Sequence, residues 1–146
     1  METKGPSIGR IFWTDYTTFI FAISILLSAG FYLFDRFIQP IALTAELPYI
    51  VAFACLIGIP VITWRIRLIT SAFEYGWEVE GDILDVGFFR DRGRVTYVYT
   101  VLGERYQSSN AIMKHRITKS LQRGQKAIVV ANRDNPKVAF LRDLYT

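Results

Sequence analysis

The sequence is poor in the residues from which soluble active sites are commonly built. Its 146 residues include one cysteine, Cys55, and one histidine, His115. A lone cysteine inside an apolar run excludes an intrachain disulfide, a thiolate cluster and a dithiol redox pair. A zinc site would need ligands that the chain hardly has, so no metal and no cofactor is expected. Cations are scarce in the first part of the chain. Lys4, Arg10 and Arg36 are the only Lys or Arg among residues 1–64, and the other fourteen follow. This asymmetry points to two different solvents for the two halves. The net charge of +4 is small for a nucleic-acid binder, whose affinity depends on neutralising many phosphates. No nucleic-acid partner is expected.

Charge is missing altogether from two long stretches. Tyr16–Phe34 is nineteen residues without an ionisable acid or base, and Leu47–Trp64 is eighteen. At about 1.5 Å per residue, nineteen residues make a helix of about 28 Å, close to the hydrocarbon thickness of a bilayer. Aromatic residues gather at the ends. Phe12, Trp13 and Tyr16 precede the first run, Phe31, Tyr32 and Phe34 close it, and Tyr49 and Trp64 bracket the second. Amphipathic rings favour the headgroup level. The expected N-terminal unit is a transmembrane hairpin over residues 1–70. A cleaved signal peptide fits less well, because the first apolar run continues past Ser28-Ala29-Gly30 and a second run follows.

Lys4 and Arg10 precede the first span, Arg65 and Arg67 follow the second, and Arg36 stands between them. By the positive-inside rule both termini are cytoplasmic, in a cell (inner) membrane. The absence of Asp, Glu, Lys, Arg and His within the spans argues against a proton relay or ion-coupled transport. Ser24 with Ser28, and Ala54 with Gly58, form small-xxx-small pairs that let helices approach closely. Pro60 is a candidate kink. Phe37–Ala45 reads as a short interfacial turn.

Beyond residue 70 the pattern becomes alternating. Arg94–Val101 places Val95, Tyr97, Tyr99 and Val101 on one face of a strand. Leu102-Gly103-Glu104 turns the chain back into Arg105–Ser109. Glu78–Arg90 reads as a long strand with a bulge at Gly81 or Gly87. Lys126–Asn132 and Val138–Leu141 are two further strands, joined across Asn135-Pro136. Between them, Ala111–Arg123 carries Met113, Ile117 and Leu121 at helical spacing and ends at Gly124. The expected architecture is an α+β membrane protein: a two-helix hairpin, then a small five-stranded sheet or partly closed barrel over residues 71–146 with one short helix.

The chemistry-bearing residues are sparse. His115, between Lys114 and Arg116, reads as a surface histidine whose pKa its cationic neighbours depress. Glu78, Glu80 and Asp82 share one strand face, where paired carboxylates could do acid–base work or bind a cation but more commonly form a solvated edge. Gly81, Gly87, Gly93 and Gly103 lack nucleotide-loop spacing and read as turn and bulge residues. No catalytic residue is assigned. The candidate site is basic: Lys114, Arg116, Lys119, Arg123 and Lys126, with juxtamembrane Arg65 and Arg67, would bind anionic lipid headgroups at about 1 kcal/mol per charge. The solvated-surface reading has equal standing.

Residues 75–142 resemble the bacterial membrane family catalogued as domain of unknown function 3592. The resemblance rests on Trp77-Glu-Val-Glu-Gly-Asp-Ile83, on Tyr97-Val-Tyr-Thr-Val-Leu-Gly103 with Tyr106, and on Gly124, Val129-Val130, Asn135-Pro136 and Ala139-Phe-Leu141. That family usually has an aromatic residue and a proline just before the Asn-Pro turn, where this chain reads Ala131-Asn132-Arg133-Asp134. The resemblance implies transmembrane helices joined to a compact β domain, and implies no activity. The functional expectation is a non-enzymatic membrane protein, an accessory or scaffolding subunit that contacts other membrane proteins or itself. A lipid-responsive surface module is the alternative, and an enzyme acting on a membrane substrate is the third reading.

Overall fold

A computed structural model describes residues 5–38 and 46–146. It comprises α1 (Ile8–Thr14), α2 (Tyr16–Phe37), α3 (Leu47–Tyr75), β1 (Trp77–Phe89), β2 (Arg92–Val101), β3 (Glu104–Met113), α4 (Arg116–Lys119), β4 (Lys126–Ala131), β5 (Ala139–Leu141) and α5 (Arg142–Tyr145). These form two compact units. One comprises residues 17–65, and the other joins the chain up to Tyr16 with Ile66–Thr146. That grouping differs from a division at residue 70, because α1 and the last turns of α3 belong with the strands.

In the helical unit, α2 and α3 are long and apolar enough to cross a membrane. Only 6% and 11% of their most apolar stretches are buried. Gly58 lies where α3 meets α2, since a Cβ there would stand 2.7 Å from Ile25 Cδ1. This is the close approach expected of the Ala54/Gly58 pair. The Ser24 and Ser28 hydroxyls bond back to the carbonyls of Ile20 (2.7 Å) and Ile25 (3.0 Å), so their polar groups are satisfied within the helix. The helix α3 continues as one element through Pro60. Arg36 lies in the last turn of α2 rather than in a loop, and the rest of the expected interfacial turn falls on 39–45, outside the described residues.

The second unit is a five-stranded antiparallel sheet of order β3-β2-β1-β4-β5 that curls into a nearly closed barrel. Its length lets β1 serve both sides: Trp77–Asp82 pairs with β4, and Gly81–Phe89 pairs with β2. The bend falls where those pairings overlap. A Cβ on Gly81 would stand 2.7 Å from Val129 Cγ2 and 2.8 Å from the Val98 carbonyl oxygen, so only glycine lets the neighbouring strands close there. The register shift lies between Ile83 and Asp85, with Leu84 as the extra residue. The bulge expected at Gly81 or Gly87 is therefore at neither glycine.

Val95, Tyr97, Tyr99 and Val101 all point into the core, as their alternation requires. They meet Ile83, Ile112, Val129, Phe140 and Leu144, together with Ile11 from α1 and Ile69 and Ala72 from α3. Closure between the outer strands is polar. Ala139 on β5 presents its carbonyl oxygen to the Tyr97 hydroxyl (2.6 Å) and to Asn110 Nδ2 on β3 (3.0 Å). The Tyr97 hydroxyl also lies 2.8 Å from Asn110 Oδ1, so its single proton is shared between two acceptors. Beside this network the Tyr99 hydroxyl donates to the Pro136 carbonyl. The Asn132 side chain accepts from the backbone N–H groups of Asp134 (2.9 Å) and Asn135 (3.1 Å), setting the turn into β5.

The helix expected over Ala111–Arg123 is much shorter. Ala111–Met113 extends β3, and only Arg116–Lys119 is helical. Pairing of Arg92, Gly93 and Arg94 with Met113, Ile112 and Ala111 outcompetes a weakly amphipathic helix, because Ile112 is thereby fully buried.

Replacing Asn110 with alanine should cost about 1–3 kcal/mol, the range for stranding buried hydrogen-bonding partners. Chemical denaturation of the full chain in detergent micelles measures it. A loss within about 0.3 kcal/mol of zero would mean that apolar packing alone closes the barrel.

Candidate functional site

The sequence-selected cations are spread over several elements. Arg65 belongs to the helical unit and Arg67 to the barrel unit. Lys114 follows β3, its backbone N–H bonded to the Asp91 carbonyl (2.8 Å) and its Nζ 5.9 Å from the centre of the Phe88 ring. Arg116 and Lys119 lie on α4, and Arg123 stands in the turn before β4. Lys126 opens β4 and pairs with Glu80 at 3.4 Å. Both side chains of that pair are exposed, so it contributes little to stability.

Glu78, Glu80 and Asp82 on β1 are exposed. Glu78 takes Arg142 at 2.9 Å and Glu80 takes Lys126, which makes them part of a charge-paired outer face. Tyr99 and Tyr106 are held protonated. Burial, then the neighbouring Tyr106 hydroxyl, pushes Tyr99 up to about 12. The hydrogen bond to Glu104 (2.5 Å), followed by burial and the carboxylate charge, raises Tyr106. Their rings lie 6.1 Å apart and stacked, so at neutral pH these hydroxyls serve as donors in the barrel wall.

His115 is half-buried, not a surface residue, and it caps α4. The Ile117 N–H donates to its Nδ1 (3.2 Å) while Thr118 Oγ1 accepts from its backbone N–H (2.9 Å). Nδ1 therefore acts as acceptor, and the neutral ring carries its proton on Nε2, which faces Thr14 Oγ1 at 3.3 Å. The ring thus links α1 to the end of β3. Its pKa is lowered by burial, rather than by the adjacent Lys114 and Arg116.

The feature that the sequence reading passed over lies at the tip of the β1–β2 hairpin. The two-residue turn Arg90-Asp91 brings Phe89 beside Arg92 and Gly87 beside Arg94, and β3 adds Ala111 beside Arg94. With Phe88, Gly93 and Tyr16, these residues line an open cavity of about 620 Å³. Phe89 is 63% exposed. The guanidinium carbons of Arg90 and Arg92 stand 5.4 and 5.7 Å from its ring centre, within cation–π range. No acid engages Arg92 or Arg94 among the described residues. The nearest acid on this part of β1 is Asp85, whose Oδ2 lies 4.0 Å from the position of a Gly87 Cβ. One signal was available in the sequence: Phe88-Phe89-Arg90-Asp91-Arg92-Gly93-Arg94 alternates aromatic and cationic residues across a turn.

The chain is thus, by its fold, a helical pair joined to a small antiparallel barrel with a cationic hairpin tip. No protein-family model matches it, and neither a curated protein nor a solved structure does.

Because folding favours the neutral His115 ring, its contribution is complete above the free-histidine value of 6.5. It is lost as pH falls through that value and the lowered folded one. Protection of the Ile117 amide, measured against its intrinsic exchange rate, should fall as pH drops below 6.5 and the ring protonates, because protonation removes its acceptor. His115→Gln should abolish that fall; an unchanged profile in the variant would dissociate the effect from this ring.

Proposed function

We propose that this chain is a non-enzymatic integral membrane protein of the bacterial inner membrane. Its two helices anchor a small cytoplasmic barrel that works by contact with other membrane-protein subunits. Membrane insertion is supported by the low burial of two long apolar helices. A water-soluble protein exposing so much contiguous apolar surface would aggregate, whereas hydrocarbon solvates it. Cations flanking the helices support cytoplasmic termini.

The observation that carries the contact role is Leu102. It occupies the first position of the β2–β3 turn with φ 51°, followed by Gly103 at φ 86°, and it is 84% exposed. Two left-handed residues make a type I′ turn, for which Asn-Gly is the favoured pair. A leucine there is strained by about 1–2 kcal/mol and displays an isobutyl group to solvent. The chain gains nothing by itself from either, and an apolar anchor for a partner accounts for both.

Two outcomes follow. Washing membranes at high pH should leave the full chain in the pellet, and release into the supernatant would exclude insertion. Leu102→Asn should raise the stability of the purified chain by about 0.5–2 kcal/mol. It should also reduce recovery of a stoichiometric partner, or of a homo-oligomer sized by light scattering, from gentle detergent. A clean wild-type monomer without partner would defeat the contact role.

The second reading, a module that touches anionic lipid, is favoured by Arg116, Lys119 and Arg123, whose side chains have no hydrogen-bond or ion-pair partner among the described residues.

A further inference from the structure

We infer that the cavity at the β1–β2 hairpin tip binds the phosphodiester headgroup of an anionic phospholipid, with Arg92 and Arg94 as the phosphate ligands. The assignment rests on the membrane reading proposed above, but it places the lipid contact on a different element from the basic set around α4.

Alternation along β2 puts Arg92 and Arg94 on one strand face, two residues apart. Both arginines line the cavity, and neither is neutralised by an acid among the described residues. A guanidinium is a planar multiple donor whose geometry matches two phosphate oxygens, and a pair of them can clamp one phosphate. Opposite Arg94, Gly87 leaves the floor open, since a Cβ there would meet no atom closer than Asp85 Oδ2 at 4.0 Å. The volume of about 620 Å³ falls within the usual range for small-molecule sites, about 300–1,000 Å³. That is ample for a phosphoglycerol headgroup.

Two features favour a lipid over a soluble phosphate. Tyr16, which lines the cavity, is also the first residue of the apolar helix α2. Covalent continuity therefore puts one wall of the cavity at the start of a candidate span, where tyrosine is at home. Phe89 projects beside the arginines with most of its surface exposed. An exposed ring stacked with cations is poorly placed in water and well placed at the boundary between headgroups and acyl chains. Asp85 at the margin lowers the net attraction and disfavours dianionic phosphate more than a singly charged phosphodiester.

The test uses the full chain purified in a non-ionic detergent, with native mass spectrometry to count retained phosphatidylglycerol, phosphatidylcholine or inorganic phosphate. The expected result is one phosphatidylglycerol held at least about tenfold more tightly than phosphatidylcholine. Arg92→Gln with Arg94→Gln should erase that preference, and Gly87→Val should weaken it by filling the floor. Arg105→Gln, at the opposite end of β3, should leave it unchanged. Unaltered thermal unfolding of each variant establishes that the barrel is intact, and a variant that melts early is replaced by Arg94→Gln alone. Equal retention of the two lipids, or equal loss on Arg105→Gln, would overturn the assignment. So would displacement of the lipid by millimolar inorganic phosphate, which would reassign the cavity to a soluble anion. A chain that stays in solution without any detergent defeats the membrane reading itself. A chain that needs detergent yet shows no lipid preference defeats only the cavity assignment.

Discussion

The barrel depends on one carbonyl oxygen. Ala139 O receives both the Tyr97 hydroxyl and the Asn110 amide, and it is the point at which the last strand meets the third. With only three residues in β5, a continuous ladder between the outer strands would be too short to seal the sheet. Two side chains from strands already paired to one another reach across instead. Tyr97 and Asn110 are both buried, so each would cost more unsatisfied than it contributes when paired. The network therefore specifies how the barrel closes as well as adding to its stability. Around it the apolar core is completed by the helices: Ile11 from α1, Ile69 and Ala72 from α3, and Leu144 and Tyr145 from α5.

That arrangement explains why the chain segments on either side of the apolar helices belong to the barrel unit. Ile11 is fully buried in its core, the Ser7 N–H bonds to the Tyr145 carbonyl at 2.8 Å, and Asp15 bridges to Ile112. A barrel of about seventy residues has too little interior to be stable on its strands alone. Short helices from both ends of the chain enlarge the core. The break at Asp15, where the backbone is extended, separates this docked helix from α2. At the hairpin tip two cations and an exposed ring stand together without an ion-paired acid among the described residues, and this makes it a natural place to look for an anion.

Much of this could be read from residue order. The two helices were legible because nineteen and eighteen residues without charge leave few alternatives in length or solvent. The inward face of β2 was legible because Val95, Tyr97, Tyr99 and Val101 alternate without interruption. The region from Ala111 to Arg123 was misread because Met113, Ile117 and Leu121 fit a helical period, while Ile112, which decides the matter, is one residue in a pattern. Its burial opposite Gly93 is a long-range gain that no local window contains. The bulge was misplaced for a related reason. Glycine is the usual sign of a bulge, but here Gly81 serves a close approach between strands, and the register slips at Leu84, whose side chain gives no such signal.

By itself, the sequence determined the number and starting points of the apolar helices, most of the strands and their turns, and the scarcity of catalytic side chains. These follow from hydropathy and from periods of two or 3.6 residues, which act over a few neighbours. Only the tertiary structure decided that Tyr97, Asn110 and Ala139 meet, that His115 is half-buried against Thr14, and that Arg92, Arg94, Phe89 and Tyr16 share one cavity. Those contacts join residues up to about a hundred positions apart, and they are set by sheet curvature and register, which depend on the packing of the whole barrel.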